Sequence, residues 1–121
     1  MSATSRFLTG LLAGAGALHL VAPEPFDTIV PAELPGSARA WTVWSGLAEI
    51  GVAGLLAHPA SRRWGGGAAA ALFVAVFPGN LEMARQWSDR APWQRALAYG
   101  RLPLQGVLVA QAVSVAREPR T

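Results

Sequence analysis

A single carboxylate near the middle of a long apolar segment limits what this chain can fold into. The segment spans residues 41–57, WTVWSGLAEIGVAGLLA, and its only charged residue is Glu49. As a helix rising about 1.5 Å per residue, it is nearly long enough to cross the hydrocarbon core of a bilayer. A carboxylate at that depth is costly unless it faces the interior of a helix bundle with a polar partner. Glu49 is therefore either a residue of a functional site or a structural partner of another buried polar group.

The composition favours a membrane environment for the whole chain. Of its 121 residues, 52% are hydrophobic and 14% are charged, whereas soluble domains carry roughly 25% charged residues. One domain of this length has too small a core to hide so much apolar surface, and a lipid-facing exterior removes that conflict. The arginines are scattered rather than massed on one stripe, so nucleic-acid binding is not indicated. Cysteine is absent, which excludes disulfides and thiolate metal sites within this chain.

Four apolar segments predict an all-α fold, an integral membrane four-helix bundle in up-down order that forms a single domain over residues 1–121. The spans are expected at about 7–21, 41–57, 64–84 and 98–116. A cleaved signal peptide is the alternative interpretation of the first segment. Segment 22–40 contains four prolines, so it is either an ordered amphipathic connection across the membrane surface or a solvated loop. Pro78 is expected to kink the third helix and to free a backbone carbonyl.

The arginines divide equally between the two sides of this bundle, five on each side. The compact pair Arg62-Arg63, in the turn after the second span, favours the cytoplasm for that turn and for both termini. The predicted location is therefore the cytoplasmic (inner) membrane, with several passes through the bilayer.

The alternating direction of the helices brings polar residues from distant parts of the sequence into one half of the membrane, beneath segment 22–40. The opposite half is almost purely small and apolar. Glu49 and His19 are the candidate acid–base residues of this polar half. The candidate ligand-binding residues are Trp41, Trp44, Ser45, Asn80, Glu82, Arg101 and Gln105.

Each candidate has a structural alternative. His19 can be a satisfied interior histidine, Asn80 can cap carbonyls freed by the kink, and Gln105 can hydrogen-bond across helices. The tryptophans can be interfacial anchors. Arg101 has three candidate partners, namely Glu49, Glu82 and lipid phosphate groups. No second histidine lies at helical spacing from the first, so no metal or haem site is predicted.

A series of short motifs over residues 7–116 resembles the DoxX-like family of small membrane proteins. The resemblance implies a four-helix protein of the cytoplasmic membrane. Some of these relatives are linked to thiosulfate–quinone or quinol oxidation or to oxidative-stress assemblies, whereas relatives in thiol–disulfide maturation carry cysteines that this chain lacks. The motifs are, in order, Gly16-Ala-Leu-His19 with Pro23, Phe26, Ile29-Val30-Pro31 and Leu34-Pro35, then Ser45-Gly46-Leu47-Ala48-Glu49, Arg62-Arg63, Phe77-Pro78-Gly79-Asn80 and Arg101-Leu102-Pro103-Leu104-Gln105.

Three functions are compatible with these observations. The first is a redox-associated membrane subunit that binds a quinone-like or other lipophilic ligand in its polar half, where Glu49 and His19 handle protons and Arg101 holds an anionic or carbonyl group. It holds no cofactor of its own, so electrons would come from a partner subunit of a redox enzyme. The second is a non-enzymatic scaffold or assembly subunit, and the third is a membrane enzyme with Glu49 or His19 as base. The expected partners are the lipid bilayer, a redox-enzyme subunit and a second copy of the chain.

Overall fold

The computed structural model describes residues 2–118, and this part of the chain is helical without any strand, which confirms the all-α prediction. Three long helices stand alone, and two shorter ones together make a fourth rod. A further helix of four residues lies in the connection after the first. The helices are α1 (Ala3–Val21), α2 (Glu24–Asp27), α3 (Ala38–Ala57), α4 (Arg62–Ala75), α5 (Phe77–Gln86) and α6 (Pro92–Ala116).

Local capping makes three of the helices begin before their apolar segments do. The Ser2 hydroxyl accepts a hydrogen bond from the amide of Ser5 at 3.1 Å and starts α1, and Ser37 does the same for α3 through Ala40. Helix α6 begins at Pro92, whose missing amide hydrogen is no loss at the first helical position. Part of the polar stretch between the expected spans 64–84 and 98–116 therefore belongs to the first turns of α6.

The third rod is broken at Val76. Pro78 has no amide hydrogen to donate to the carbonyl four residues earlier, so one regular helix cannot continue through it. Helix α4 ends at Ala75, and α5 begins at Phe77 after the Val76 amide has bonded the carbonyl of Leu72. The kink expected at Pro78 is thus a break that lies about half a turn ahead of the proline.

Neighbouring rods run antiparallel and surround one core. Helix α1 packs on α3, α3 on α4, and the rod made of α4 and α5 on α6. Glycines permit the closest approaches. A Cβ atom added at Gly16 of α1 would lie 2.7 Å from the carbonyl oxygen of Gly46 in α3, and one at Gly66 of α4 would lie 2.5 Å from the amide nitrogen of Ala116 in α6. The backbones therefore pack with no side chain between them at these two points.

The tightly packed apolar core lies in the half of the bundle that contains the 58–61 turn, whereas much apolar surface faces outward. Leu8, Leu56 and Val115 in the core are fully buried. On the outside, Trp64 is 73% exposed and Trp93 is 69% exposed. Other large apolar side chains exposed on the outer faces are Phe7, Leu18, Val21, Leu47, Val74, Leu97, Leu104 and Val107.

The arginine pair after α3 caps the C-terminal ends of two helices. The Arg62 Nε atom donates to the carbonyl of Leu56 at 2.9 Å, and the Arg63 Nε atom donates to the carbonyl of Ala116 at 3.3 Å. Cations at these positions satisfy terminal carbonyls and interact favourably with the helix dipoles. The pair therefore has a structural role in the fold in addition to the topological role that its position suggests.

Two helical stretches within residues 2–118 are long and apolar enough to cross a membrane, judged by length and composition alone. They are Ala38–Ala57 and Arg62–Gln86, the rod that α4 and α5 form together.

Candidate functional site

A cavity of about 280 Å³ lies between the four rods, beneath the connection from α1 to α3. We call that connection, residues 22–37, the lid. The apolar wall of the cavity includes Leu11, Leu72, Phe73 and Leu108, and polar side chains from all four rods converge on the same space. Small-molecule sites commonly combine an apolar wall with a few placed polar groups.

Glu49 is the carboxylate of this cavity, and one of its oxygens lacks a partner. The residue is 6% exposed. The Ser45 hydroxyl, one helical turn earlier, donates to Oε1 at 3.0 Å. Within residues 2–118 the buried Oε2 atom accepts no hydrogen bond. Since buried polar atoms are nearly always paired, an unpaired oxygen on a residue that lines a cavity indicates a place where a ligand or water could donate.

His19 stands beside Glu49 on the facing helix. Its Nδ1 atom lies 3.5 Å from Glu49 Oε2 but 2.6 Å from the carbonyl oxygen of Ala15. Since a carbonyl can only accept, Nδ1 carries a proton and directs it to Ala15. The Phe26 ring from the lid stacks on the imidazole with 3.8 Å between ring centroids. The closeness of α1 and α3 at Gly16 brings the imidazole and the carboxylate together.

Asn80 and Gln105 form a hydrogen-bonded chain that ends on the broken helix. The Asn80 Nδ2 atom donates to Gln105 Oε1 at 2.8 Å, and Gln105 Nε2 donates to the carbonyl of Phe73. In a regular helix the amide of Phe77 would donate to that carbonyl. The carbonyl is left for Gln105 because α4 ends before Phe77. Both side chains line the cavity. Their hydrogen bonds also stabilise the chain where the third rod is interrupted, which is a structural role.

Arg101 reaches the cavity without pairing with Glu49. Its Nη1 atom contacts the Met83 sulfur, and no carboxylate within residues 2–118 lies within 4.0 Å of its guanidinium. Glu82, the second acid considered for it, instead binds Arg85 and Gln86 on its own helix. The guanidinium is therefore available to an acceptor in the cavity.

Three polar contacts hold the lid over the cavity. Asp27 binds the Arg39 guanidinium at 2.8 Å, and the Trp41 indole nitrogen donates to the carbonyl of Pro35 at 2.7 Å. Gln86 donates to the carbonyl of Thr28 at 2.6 Å and so ties the lid to α5. The lid is thus an ordered cover, whereas its position at a membrane surface stays a prediction.

The charge on Asp27 is favoured where the lid meets α3. The nearby Thr42 hydroxyl and the Arg39 guanidinium lower the pKa of Asp27 below its usual 3.8, against the opposing effect of burial. The carboxylate is therefore ionised at neutral pH and keeps its pairing with Arg39.

The structure brings seven of the nine candidate residues to the cavity. They are His19, Trp41, Ser45, Glu49, Asn80, Arg101 and Gln105. Trp44 and Glu82 do not line it: Trp44 is 69% exposed on the outer face of α3, and Glu82 pairs locally. Among residues 2–118, no group of three His, Asp or Glu side chains could hold a metal ion.

Two contributors to the cavity were not anticipated. Phe26 was not among the nine candidate residues, and its ring stacks on His19. Thr42 is 2% exposed and lines the cavity one residue after Trp41 on α3. The spacing of Thr42, Ser45 and Glu49 at three and four residues marks one face of α3 and could have identified it.

These features define a class: an all-helical protein whose rods enclose a lidded cavity with an acid, an imidazole and a guanidinium. The model of the family described as Domain of unknown function (DUF8561) matches residues 8–116, and the chain belongs to that family. Comparisons with curated proteins and with solved structures find no match.

Proposed function

We propose that the protein is an integral membrane bundle in which all four rods cross the bilayer. The proposal is supported by the two rods with suitable length and composition and by the apolar side chains exposed around the outer faces. Such a surface is unfavourable in water and normal in lipid. The exposed Trp64 and Trp93 stand in the first turns of α4 and α6, where tryptophan anchors a span at the interface.

The absence of native cysteine permits a direct test of the spans and their orientation. Ala60→Cys places a single thiol in the turn between α3 and α4, and Ser88→Cys places one between α5 and α6. An impermeant maleimide added to intact cells should label Ser88→Cys, and should label Ala60→Cys only after permeabilisation. Labelling of both thiols from the same side would contradict the four-span arrangement, and the reverse pattern would place both termini outside.

Within this bundle we propose a binding site for a lipophilic molecule with a polar head, quinone-like in size and chemistry. One observation carries the proposal: a cavity with a wide apolar wall is lined by Glu49, whose buried Oε2 atom is unpaired, and by Arg101. The apolar wall would hold a ring or chain, and the polar groups would orient its oxygens. The resemblance to DoxX-like proteins supports a further step, in which the bundle works beside a redox enzyme of the same membrane.

A matched pair of variants on α6 tests this site. Leu108 lines the cavity and is 8% exposed, whereas Leu104 is 50% exposed on the outside of the same helix. Duroquinone should bind the purified protein saturably in detergent micelles, as followed by titration calorimetry against empty micelles. Leu108→Trp fills the cavity and should abolish that binding, while Leu104→Trp should retain it. No saturable binding by the wild type, or equal binding by both variants, would refute the site.

A scaffold function is the second candidate, because the bonds from Asn80 to Gln105 and from Gln105 to Phe73 are satisfied within the protein. Under that proposal, Glu49→Gln changes protein abundance and partner recovery together. Purification from native membranes, followed by identification of bound subunits, would show whether a redox enzyme accompanies the wild type. Normal duroquinone binding without any accompanying subunit would favour the ligand site alone.

A further inference from the structure

The cavity offers hydrogen-bond acceptors that a quinone cannot use, because both oxygens of a quinone are themselves acceptors. The Ser45 hydroxyl is already committed to Oε1 of Glu49, and the Nδ1 hydrogen of His19 is committed to Ala15. Oε2 of Glu49, in a side chain more than nine-tenths buried, receives neither of these donors. An acceptor left unmet in such a place costs free energy, which a donating ligand would recover.

The second ring nitrogen of His19 adds another acceptor. Because Nδ1 holds the proton in the neutral imidazole, Nε2 keeps a lone pair. No hydrogen bond of Nε2 is found in the described part of the chain, and the ring lines the cavity. A hydroxyl placed near the carboxylate therefore has two atoms to which it could donate.

An ionised Glu49 would balance the charge of Arg101 in this cavity. Glu49 is the acidic residue among those that line the cavity. Its negative charge could balance the permanent positive charge of the Arg101 guanidinium. No carboxylate within residues 2–118, Glu49 included, lies within 4.0 Å of the Arg101 guanidinium. An ionised Glu49 makes this pair of charges neutral overall, and an ionised carboxylate only accepts hydrogen bonds.

On the basis of the lipophile site proposed above, we propose that the cavity selects molecules that carry a hydroxyl group, such as phenols and quinols, over molecules of similar shape whose oxygens are all ether or carbonyl oxygens. The hydroxyl donates to Oε2 of Glu49, and an oxygen of the ligand accepts from Arg101. The volume of about 280 Å³ corresponds to nine or so water molecules at about 30 Å³ each, which suits one substituted ring.

The test compares 4-tert-butylphenol with its methyl ether, 4-tert-butylanisole, in which a methyl group replaces the hydroxyl hydrogen. Each is titrated calorimetrically into the purified protein in micelles at pH 8, with its partition into empty micelles subtracted. The wild type should bind the phenol on the order of tenfold more tightly, as expected for a hydrogen bond to a charged acceptor. Glu49→Met removes the acceptor at similar volume, and the preference should then fall to about twofold or less. If Glu49→Met does not fold, Glu49→Gln replaces it and should lower the preference in the same direction.

Glu118→Gln is the control, because it removes a carboxylate at the opposite end of the bundle and should leave the preference unchanged. Equal binding of the two probes by the wild type overturns the hydroxyl selection but leaves the lipophile site intact. An unchanged preference in both Glu49 variants overturns the role of Glu49. If neither probe nor duroquinone binds saturably, the lipophile site fails and the selection fails with it.

Discussion

Replacing Gln105 with methionine should lower the free energy of unfolding by about 2–3 kcal/mol, because two buried polar groups lose their partners at once. Gln105 is 7% exposed and accepts from Asn80 while donating to the carbonyl of Phe73. Methionine has nearly the same volume and can do neither, so the loss is one of hydrogen bonds rather than of packing. Reversible unfolding of the purified protein in mixed detergent micelles measures the difference.

The matched control lies on the same helix. Gln111 has a buried side-chain oxygen without a hydrogen-bond partner in residues 2–118. Gln111→Met therefore removes an unsatisfied group and should leave stability unchanged or raise it. If the two variants lose similar free energies of unfolding, the hydrogen bonds of Gln105 add nothing to stability beyond what the unpaired Gln111 side chain contributes.

Replacing Gly66 with alanine should destabilise the bundle by about 1–3 kcal/mol, because the new methyl group would overpack the contact of α4 with α6. Its Cβ would lie 2.5 Å from the backbone nitrogen of Ala116 and 2.8 Å from the carbonyl oxygen of Ala112. Backbone atoms cannot move aside as a flexible side chain can, so the two helices must separate. The same unfolding measurement reports the loss.

Gly67 provides the neighbouring comparison. No atom lies within 4 Å of a Cβ added there, so Gly67→Ala introduces no clash and gains up to about 1 kcal/mol of helix propensity. The two variants should therefore move the unfolding midpoint in opposite directions. A stable Gly66→Ala protein would show that the close approach of the helices at this point is not needed for folding.

The meeting of distant polar residues could be predicted because the rods alternate in direction. Residues near the end of one helix must then lie level with those near the start of the next. This places His19 with Ser45 and Glu49, and Asn80 with Gln105, whatever the details of packing. The period of the helix also places Trp41, Ser45 and Glu49 on one face.

Other features of the site depend on choices that spacing does not determine. Trp44 lies five residues before Glu49, about 140° around the helix, so helical phase already argued against its inclusion. Glu82 precedes Arg85 and Gln86 by three and four residues, and this local pairing wins over a contact across the bundle. Arg101 has a long side chain that can reach several partners, so its contact with Met83 required three-dimensional information.

The separation between the acid and the imidazole is controlled by two residues that have no side chains of their own. Gly16 and Gly46 let the two helix backbones touch, and His19 and Glu49 stand on either side of that touching point. A methyl group at either glycine would push the two helices apart. This would lengthen the distance between the imidazole and the carboxylate without replacing either side chain. The reactivity of such a pair could thus be adjusted through positions that carry no chemistry.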